Sequence, residues 1–158
     1  ILENANWAPT HRKTEPWRFH VIQGDGLKRL GKYLGDRYQA NTLDGGYSEI
    51  KHKKTIQKAI KSASVIGITY QRCPTESVPE WEEVAATAMA VQNIWLTCES
   101  LGIGSYWSSP KTFTTHNTFL DLAEGEVCLG LMYMGYYDLA YKSIGERKPI
   151  TDKIKFYK

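Results

Sequence analysis

The chain has 158 residues, of which 42% are hydrophobic and 23% are charged, and its net charge is +3. This length and composition suit one folded domain with a hydrophobic core, and they exclude an intrinsically disordered chain. The small basic excess argues against a nucleic-acid-binding protein, and the longest apolar run, "CLGLMYMGYY" at 128–137, is too short to span a bilayer.

The N-terminal segment "ILENANW" at 1–7 has the pattern of the last turns of a helix, which Pro9 would end. The chain begins with Ile1 and not with methionine. We therefore expect a single domain over residues 1–158 whose natural beginning lies further upstream.

The first half of the chain then predicts two strands and two helices. Residues 17–23 alternate in the manner of a strand, with Trp17, Phe19 and Val21 on one well-buried face. Helices are predicted over 27–38 and 48–63. The inward-facing residues of the second helix are predicted to be Ile50, Ile56, Ala59, Ile60 and Ala63. The short apolar run "SVIGITY" at 64–70 predicts a central strand.

The second half begins with the longest helical pattern, at 80–101. Its first turns are acidic, which suits the positive end of the helix dipole, and Gly102 lies just past its end. Its middle, "VAATAMAVQNIWL", is apolar on nearly every side, so we expect burial on several sides. A strand at 103–108, a short helix at 114–126 and a strong strand at 126–137 are predicted to follow.

The C-terminal segment "DLAYKSIGERKPITDKIKFYK" at 138–158 is polar and basic, contains Pro149 and has no helical period. It predicts an extended arm. The order of the elements predicts the α+β class.

The three cysteines are Cys73, Cys98 and Cys128, and they form no CxxC motif. The sequence therefore indicates neither a zinc ribbon nor a redox pair. We expect reduced cysteines and a cytoplasmic location, and we expect no metal site.

The chain also lacks the GxGxxG, P-loop, HExxH and GxSxG motifs, which argues against a Rossmann dinucleotide site. None of the four histidines falls at metal-ligand spacing. His52 and His116 are expected to be structural or solvated, and His20, in the middle of a strand, is expected to make a local hydrogen bond.

The segment between Pro9 and Pro16 carries the first candidate site. We expect the two prolines to hold this backbone extended, so that Thr10, His11 and their neighbours form a polar rim at the mouth of a buried strand. Such rims position anionic or hydrogen-bonding ligands. The alternative is a solvated turn.

Two further segments are ambiguous when each is taken alone. In "SYWSSP" at 105–110, Trp107 offers an aromatic face and Ser108 and Ser109 offer two hydroxyls, although a serine there could instead cap the next helix. In "ERKPI" at 146–150, Arg147 and Lys148 could meet a phosphate, although a solvated tail is the simpler interpretation.

Taken together and in this order, these segments resemble the FMN-dependent nitroreductase family, and in particular its short bacterial subgroup. The resemblance extends over nearly the whole chain. It rests on "APTHRKTEPWRFHVI" (8–22), "EWEEVAATAMAVQNIWLTCESLGIGSYWSSP" (80–110), "CLGLMYMGY" (128–136) and "ERKPITDKIKFY" (146–157).

The resemblance implies a nitroreductase-like fold, with a mixed and mainly antiparallel sheet flanked by helices. It also implies a homodimer with FMN in the subunit interface and a C-terminal arm, 139–158, that embraces the partner. The implied reaction is ping-pong, in which FMN accepts a hydride from NADH or NADPH and then reduces a nitroaromatic, a quinone or a similar acceptor.

By position, Thr10 and His11 match family residues that reach the flavin from the partner subunit. Trp107, Ser108 and Ser109 match the segment that lines the flavin, and Arg147, with Lys148 beside it, matches a basic residue that contacts the flavin phosphate. No catalytic acid or base is implied, and His11 is the only titratable candidate near the ring.

The chain departs from the family pattern in lacking the N-terminal Arg-x-Ser and in having Lys13 and Glu15 in place of Asn and Gln. Three alternatives stay open: a flavin-binding protein without turnover, a structural α+β dimer without cofactor, and a flavin enzyme of the same fold with different chemistry. The short segment at 34–50 argues against a large substrate lid, which that last alternative would need.

Overall fold

The computed structural model describes residues 1–42, 45–75, 77–115, 117–138, 140 and 145–157; His116 and much of the segment at 139–144 lie outside these residues. The helices are α1 (Leu2–Ala5), α2 (Asp25–Ala40), α3 (Glu49–Ile60), α4 (Glu80–Ser100) and α5 (Lys111–Thr114). The strands are β1 (Trp17–Ile22), β2 (Ser64–Gln71), β3 (Gly104–Ser108) and β4 (Glu126–Gly135).

The four described strands form one sheet in the order β1-β2-β4-β3, and each described pairing is antiparallel. The predicted α+β class and mainly antiparallel sheet are thus confirmed. β1 and β3 are the two edge strands, and the largely apolar and buried β2 lies inside the sheet, as its short apolar run predicts.

Helices cover both faces of the sheet. On one face, α1 and α4 pack over a core that includes Trp17, Ile68 and Met132. On the other face, α2, α3 and α5 cover a second core that includes Val65 and Leu131. Both faces of β2 and β4 are therefore buried, which explains why these two strands are nearly continuous hydrophobic runs.

β1 differs from its prediction at its C-terminal end. Trp17 and Phe19 pack in the core beneath α4, but Val21 lies outside that core and is 51% exposed. Ile22 is buried instead, on the opposite face, where it packs with Leu27 of α2. The prediction of a single buried face was wrong because the two helical layers cover different parts of this edge strand.

His20 of β1 makes the local hydrogen bond that was expected. Its Nε2 atom lies 2.7 Å from Oε1 of Glu126, and the hydroxyl of Thr69 donates to the same carboxylate oxygen. Burial acts to raise the pKa of Glu126, but the hydrogen bonds from Thr69, His20 and the Ala123 N–H outweigh it and the pKa is lowered. This cluster ties β1, β2 and the start of β4 together.

α3 packs closely against α2 through two glycines. A Cβ atom on Gly31 would lie 2.9 Å from the Ile56 carbonyl oxygen, and one on Gly35 would lie 2.6 Å from the Ile56 side chain. This approach directs Ile56 and Ala59 inward and leaves Ile50 68% exposed, with Ile60 and Ala63 also exposed. Three of the five predicted inward positions of α3 were therefore wrong.

α4 is confirmed as the longest helix, but it is not buried on several sides. Ala86, Ala90 and Ile94 face the sheet, whereas Trp81 is 69% exposed, Met89 40% and Leu96 60%. These three exposed residues are spaced eight and seven apart, so they lie on one side of the helix. We call them the α4 stripe.

The helix predicted over 114–126 was wrong. α5 ends at Thr114, and residues 117–123 are not helical. The Asn117 side chain accepts hydrogen bonds from the N–H groups of Phe119 and Leu120, and the Thr118 N–H donates to the Tyr33 hydroxyl. In a helix, these three N–H groups would instead donate to backbone carbonyl groups one turn earlier, so the side-chain hydrogen bonds compete with helix formation.

The described part of the C-terminal arm, at 145–157, has a single 3-10 turn over Ile150–Lys153 and otherwise no regular secondary structure. All of its described residues are exposed, and Phe156 and Tyr157 are 84% and 91% exposed. An arm without an α-helix is therefore confirmed for these residues.

Across the described residues, we find no helix whose length and hydrophobicity would let it cross a membrane.

Candidate functional site

The loop between the two prolines is not extended, contrary to the prediction. Residues His11–Lys13 form a 3-10 turn, and φ is positive at Arg12 (52°), Lys13 (54°) and Glu15 (42°). The hydroxyl of Thr10 accepts a hydrogen bond from the Glu15 N–H at 3.2 Å and thereby closes the loop. Non-glycine residues rarely adopt positive φ, and such strain is concentrated at functional sites.

This loop places His11 against the first turn of α4. The Nδ1 atom of His11 lies 2.5 Å from Oε2 of Glu82. A hydrogen bond between Nδ1–H and the carboxylate leaves Nε2 as the free ring nitrogen. A cavity of about 300 Å³ adjoins the pair, lined by Pro9, Thr10, His11, Trp81, Glu82, Ala85, Ala86 and Met89.

The start of α4 is held in place by a buried carboxylate. Glu83 is 1% exposed, forms an ion pair with Arg72 and accepts a hydrogen bond from the Cys73 N–H at 3.1 Å. Arg72 also donates to the Val78 carbonyl at 2.9 Å. Glu83 thus binds the loop that precedes α4 to the helix. Glu83 directly follows Glu82, the residue that pairs with His11.

The second predicted segment lies at the end of β3. The indole N–H of Trp107 donates to the Leu129 carbonyl at 3.2 Å, and the side chain packs against the core beneath α4. A bulge in β4 lies opposite Ile68 and Thr69, and it includes Gly130 with φ 136°. Bulges commonly lie beside active sites.

Gly130 allows β4 to approach the end of β3. A Cβ atom at this position would lie 2.5 Å from the Ser108 carbonyl oxygen and 2.8 Å from the Trp107 indole nitrogen. The positions of Trp107, Ser108 and Ser109 therefore depend on a glycine at 130.

Lys58 is the site residue that the sequence analysis missed. Its Nζ donates to the Ser108 hydroxyl at 3.2 Å and lies 4.7 and 4.3 Å from the ring centroids of Tyr106 and Tyr133. Burial lowers the pKa of Lys58 and raises the pKa of both tyrosines. The available signal was a pair of polar residues at helical spacing on an otherwise inward face of α3, Thr55 and Lys58, followed by Ser62 just past the end of the helix.

A cavity of about 320 Å³ contains Lys58 and Ser108. Hydroxyl, amide and aromatic groups line it, and none of the lining residues that the structure describes carries a carboxylate. The lining residues are Leu34, Tyr38, Asn41, Thr42, Thr55, Lys58, Ser108, Pro110, Thr112 and Tyr133.

The three sets of predicted site residues do not meet within one chain. Thr10 and His11 precede β1, and Trp107, Ser108 and Ser109 end or follow β3, at the opposite edge of the sheet. Three strand spacings, about 14 Å, separate those edges. Arg147 and Lys148 are exposed, and Arg147 donates only to the neighbouring Glu146 carbonyl among the described residues.

Comparison with known proteins relates this chain to nitroreductases. The model of the "Nitroreductase family" matches residues 1–136. YfhC of Bacillus subtilis, which is provisionally named an NAD(P)H nitroreductase, is 28% identical over 97% of this chain and 78% of its own length. YdjA of Escherichia coli K12, which has the same provisional name, is 25% identical over 85% of this chain and 73% of its own length.

Solved structures share the fold. The nitroreductase-like family protein from Bacillus cereus superposes with a TM-score of 0.75 at 25% identity, over 99% of this chain and 81% of its own. The FMN-dependent nitroreductase NfnB from Mycobacterium smegmatis, solved in complex with NADPH, gives 0.75 at 17% identity, over 99% of this chain and 85% of its own. The expected nitroreductase-like fold is confirmed, and the chain belongs to the nitroreductase family.

Proposed function

We propose that the chain is one subunit of an FMN-dependent oxidoreductase that uses NADH or NADPH to reduce nitroaromatic, quinone or similar acceptors by a ping-pong mechanism. Family membership and the NAD(P)H nitroreductase names of YfhC and YdjA support this assignment. The observation that carries it is the pair formed by Lys58 and Ser108, a half-buried cation and a hydroxyl in a cavity whose described lining residues include no carboxylate.

These residues fit the polar edge of a flavin ring. Bound FMN would supply the hydride acceptance and electron donation, and it becomes more negative when it is reduced. Lys58 offers a positive charge that no carboxylate of its cavity neutralises, and Ser108 offers a hydroxyl beside it. Partial burial strengthens the interaction of such a cation with a negative partner.

The remaining predicted contacts are proposed from the resemblance. Trp107 and Ser109 would line the ring together with Ser108, and Arg147 and Lys148 would hold the phosphate. Thr10 and His11 would reach the same ring from the partner subunit. Glu82 would orient His11 through Nδ1, and so leave Nε2 free to meet the ring or the substrate.

A homodimer would complete this site. Within one chain, Thr10 and His11 are too far from Ser108 to share one ring with it, whereas a second subunit can bring its own pair close. The exposed α4 stripe supplies an apolar surface for such an interface. The exposed Phe156 and Tyr157 of the arm support its proposed exchange across the dimer.

We propose one domain over residues 1–158 and a cytoplasmic location. The domain proposal rests on the family match over 1–136 and on the arm continuing directly from β4. The location rests on the three free cysteines, of which Cys98 and Cys128 are buried.

The function is tested by the visible absorption spectrum of the FMN-reconstituted protein, recorded before and after anaerobic addition of NADPH or NADH. We expect a flavin band that bleaches and then recovers when a nitroaromatic or a quinone is added. A band that does not bleach would instead support a flavin-binding protein without turnover. The absence of a band after incubation with FMN would support the cofactor-free structural dimer.

The dimer is tested by replacing Leu96 of the α4 stripe with glutamate. A buried, unpaired carboxylate at an apolar interface is costly, so we expect the subunits to dissociate, with at least a tenfold weaker dimer by analytical ultracentrifugation. The control is Val21→Glu, at a similarly exposed apolar residue of β1. An unchanged sedimentation coefficient for Leu96→Glu would exclude the stripe from the interface.

A further inference from the structure

A second polar cavity, of about 300 Å³, lies between the end of α2 and the start of α5. Its lining residues are Arg37, Asn41, Lys111, Thr112 and Thr115. Two of these five residues are cations and none is acidic. The cavity is therefore positively charged, and its other walls offer hydroxyl and amide groups.

The two cations have no protein partner in the described part of the chain. The Nε atom of Arg37 is buried and makes no hydrogen bond there, and no ion pair involving Arg37 or Lys111 occurs among the described residues. A buried guanidinium nitrogen without a partner costs stability, and a ligand that supplies the missing acceptor would offset that cost. Guanidinium groups bind carboxylate and phosphate oxygens in a bidentate manner.

This cavity adjoins the one that contains Lys58 and Ser108, because Asn41 and Thr112 line both. The described lining residues of the two cavities thus include three cations, Arg37, Lys58 and Lys111, and no carboxylate. With the flavin ring at Lys58 and Ser108, as proposed above, a second molecule that lies beside the ring can extend a charged group to Arg37 and Lys111.

We propose that Arg37 and Lys111 form an anion-binding site for the carboxylate or phosphate group of a small molecule, separate from the Arg147 and Lys148 proposed for the flavin phosphate. The group belongs either to the electron acceptor or to the pyridine nucleotide, and both offer the same oxyanion chemistry. Occupation of the site does not depend on flavin turnover.

The site is tested first by calorimetric titration of inorganic phosphate into the full chain, with and without saturating FMN and at constant ionic strength. We expect saturable binding whose Kd rises about tenfold or more in Arg37→Gln and in Lys111→Gln, since each removes a charge-assisted hydrogen bond. The matched control is Arg29→Gln, an exposed arginine two turns earlier on α2. Lys111 is itself exposed, so its variant keeps the test valid if Arg37→Gln unfolds.

Either of two results would overturn the proposal: no saturable phosphate binding, or equal weakening in Arg29→Gln and Arg37→Gln. Steady-state kinetics of the FMN-loaded protein then identify the source of the anion. An acceptor anion predicts that Lys111→Gln raises KM for 4-nitrobenzoate but not for neutral 4-nitrobenzamide. A nucleotide anion predicts that the same variant raises KM for NADPH or NADH with either acceptor. If phosphate binding weakens and no KM changes, the site binds free phosphate only, and its assignment to the acceptor or the nucleotide is overturned.

Discussion

Replacing Glu83 with alanine is expected to lower the free energy of unfolding by about 3–5 kcal/mol, the range measured when one member of a buried ion pair is removed. Glu83 is almost completely buried, so its loss leaves the Arg72 guanidinium without this charge partner and the Cys73 N–H without its acceptor. The measurement is equilibrium unfolding in urea, with circular dichroism and tryptophan fluorescence as probes.

The control for this change is Glu82→Ala, one residue earlier on α4. Glu82 pairs with His11, whose side chain is 57% exposed, and exposed pairs of this kind contribute less than about 1 kcal/mol. We therefore expect a small effect on stability from the control. If Glu83→Ala and Glu82→Ala lowered the free energy of unfolding equally, the Arg72–Glu83 ion pair would not be the interaction that holds the loop before α4 in place.

The second large effect is expected for Gly130→Ala. The new Cβ atom would meet the Ser108 carbonyl oxygen at 2.5 Å, and φ at 130 is 136°, a value that disfavours side chains. Backbone strain and steric overlap together should lower the free energy of unfolding by about 3–5 kcal/mol. Because the overlap displaces Ser108 and Ser109, we also expect FMN affinity, measured by fluorescence quenching, to fall.

Gly24→Ala separates these two contributions. Gly24 also has positive φ, at 54°, but a Cβ atom there would meet nothing within 4 Å. The control should therefore lose about 1–3 kcal/mol from backbone strain at φ 54° and ψ −127°, without any steric overlap, and should keep its FMN affinity. Equal effects of the two variants on flavin binding would mean that contact with Ser108 is not the reason for glycine at 130.

The sequence predicted the type of most elements because their side-chain periods are local. The apolar run at 64–70 and the long apolar pattern at 80–101 became β2 and α4 with nearly the expected bounds. The wrong prediction at 114–126 arose because Asn117 and Tyr33 supply hydrogen bonds that compete with a helix. The competition from Asn117 is local, whereas Tyr33 comes from α2, far away in sequence, and no local pattern contains its contribution.

The candidate site was accessible from the sequence only in part. Motif resemblance pointed to Thr10, His11 and the segment around Ser108 as candidates, but it did not include Lys58. Its position against two tyrosines depends on the pairing of β3 with β4 and on the packing of α3 beside them.

By itself, the sequence determined most element types, the α+β class and the family resemblance, because periodicity and motifs are properties of neighbouring residues. The tertiary structure alone decided which charges are buried, as for Glu83 and Lys58, and which apolar residues stay exposed, as in the α4 stripe. Burial depends on contacts between segments far apart in the chain. A given lysine or leucine side chain can be either exposed to water or covered by a neighbouring helix or strand. Only the packing of that neighbouring element decides which of the two occurs.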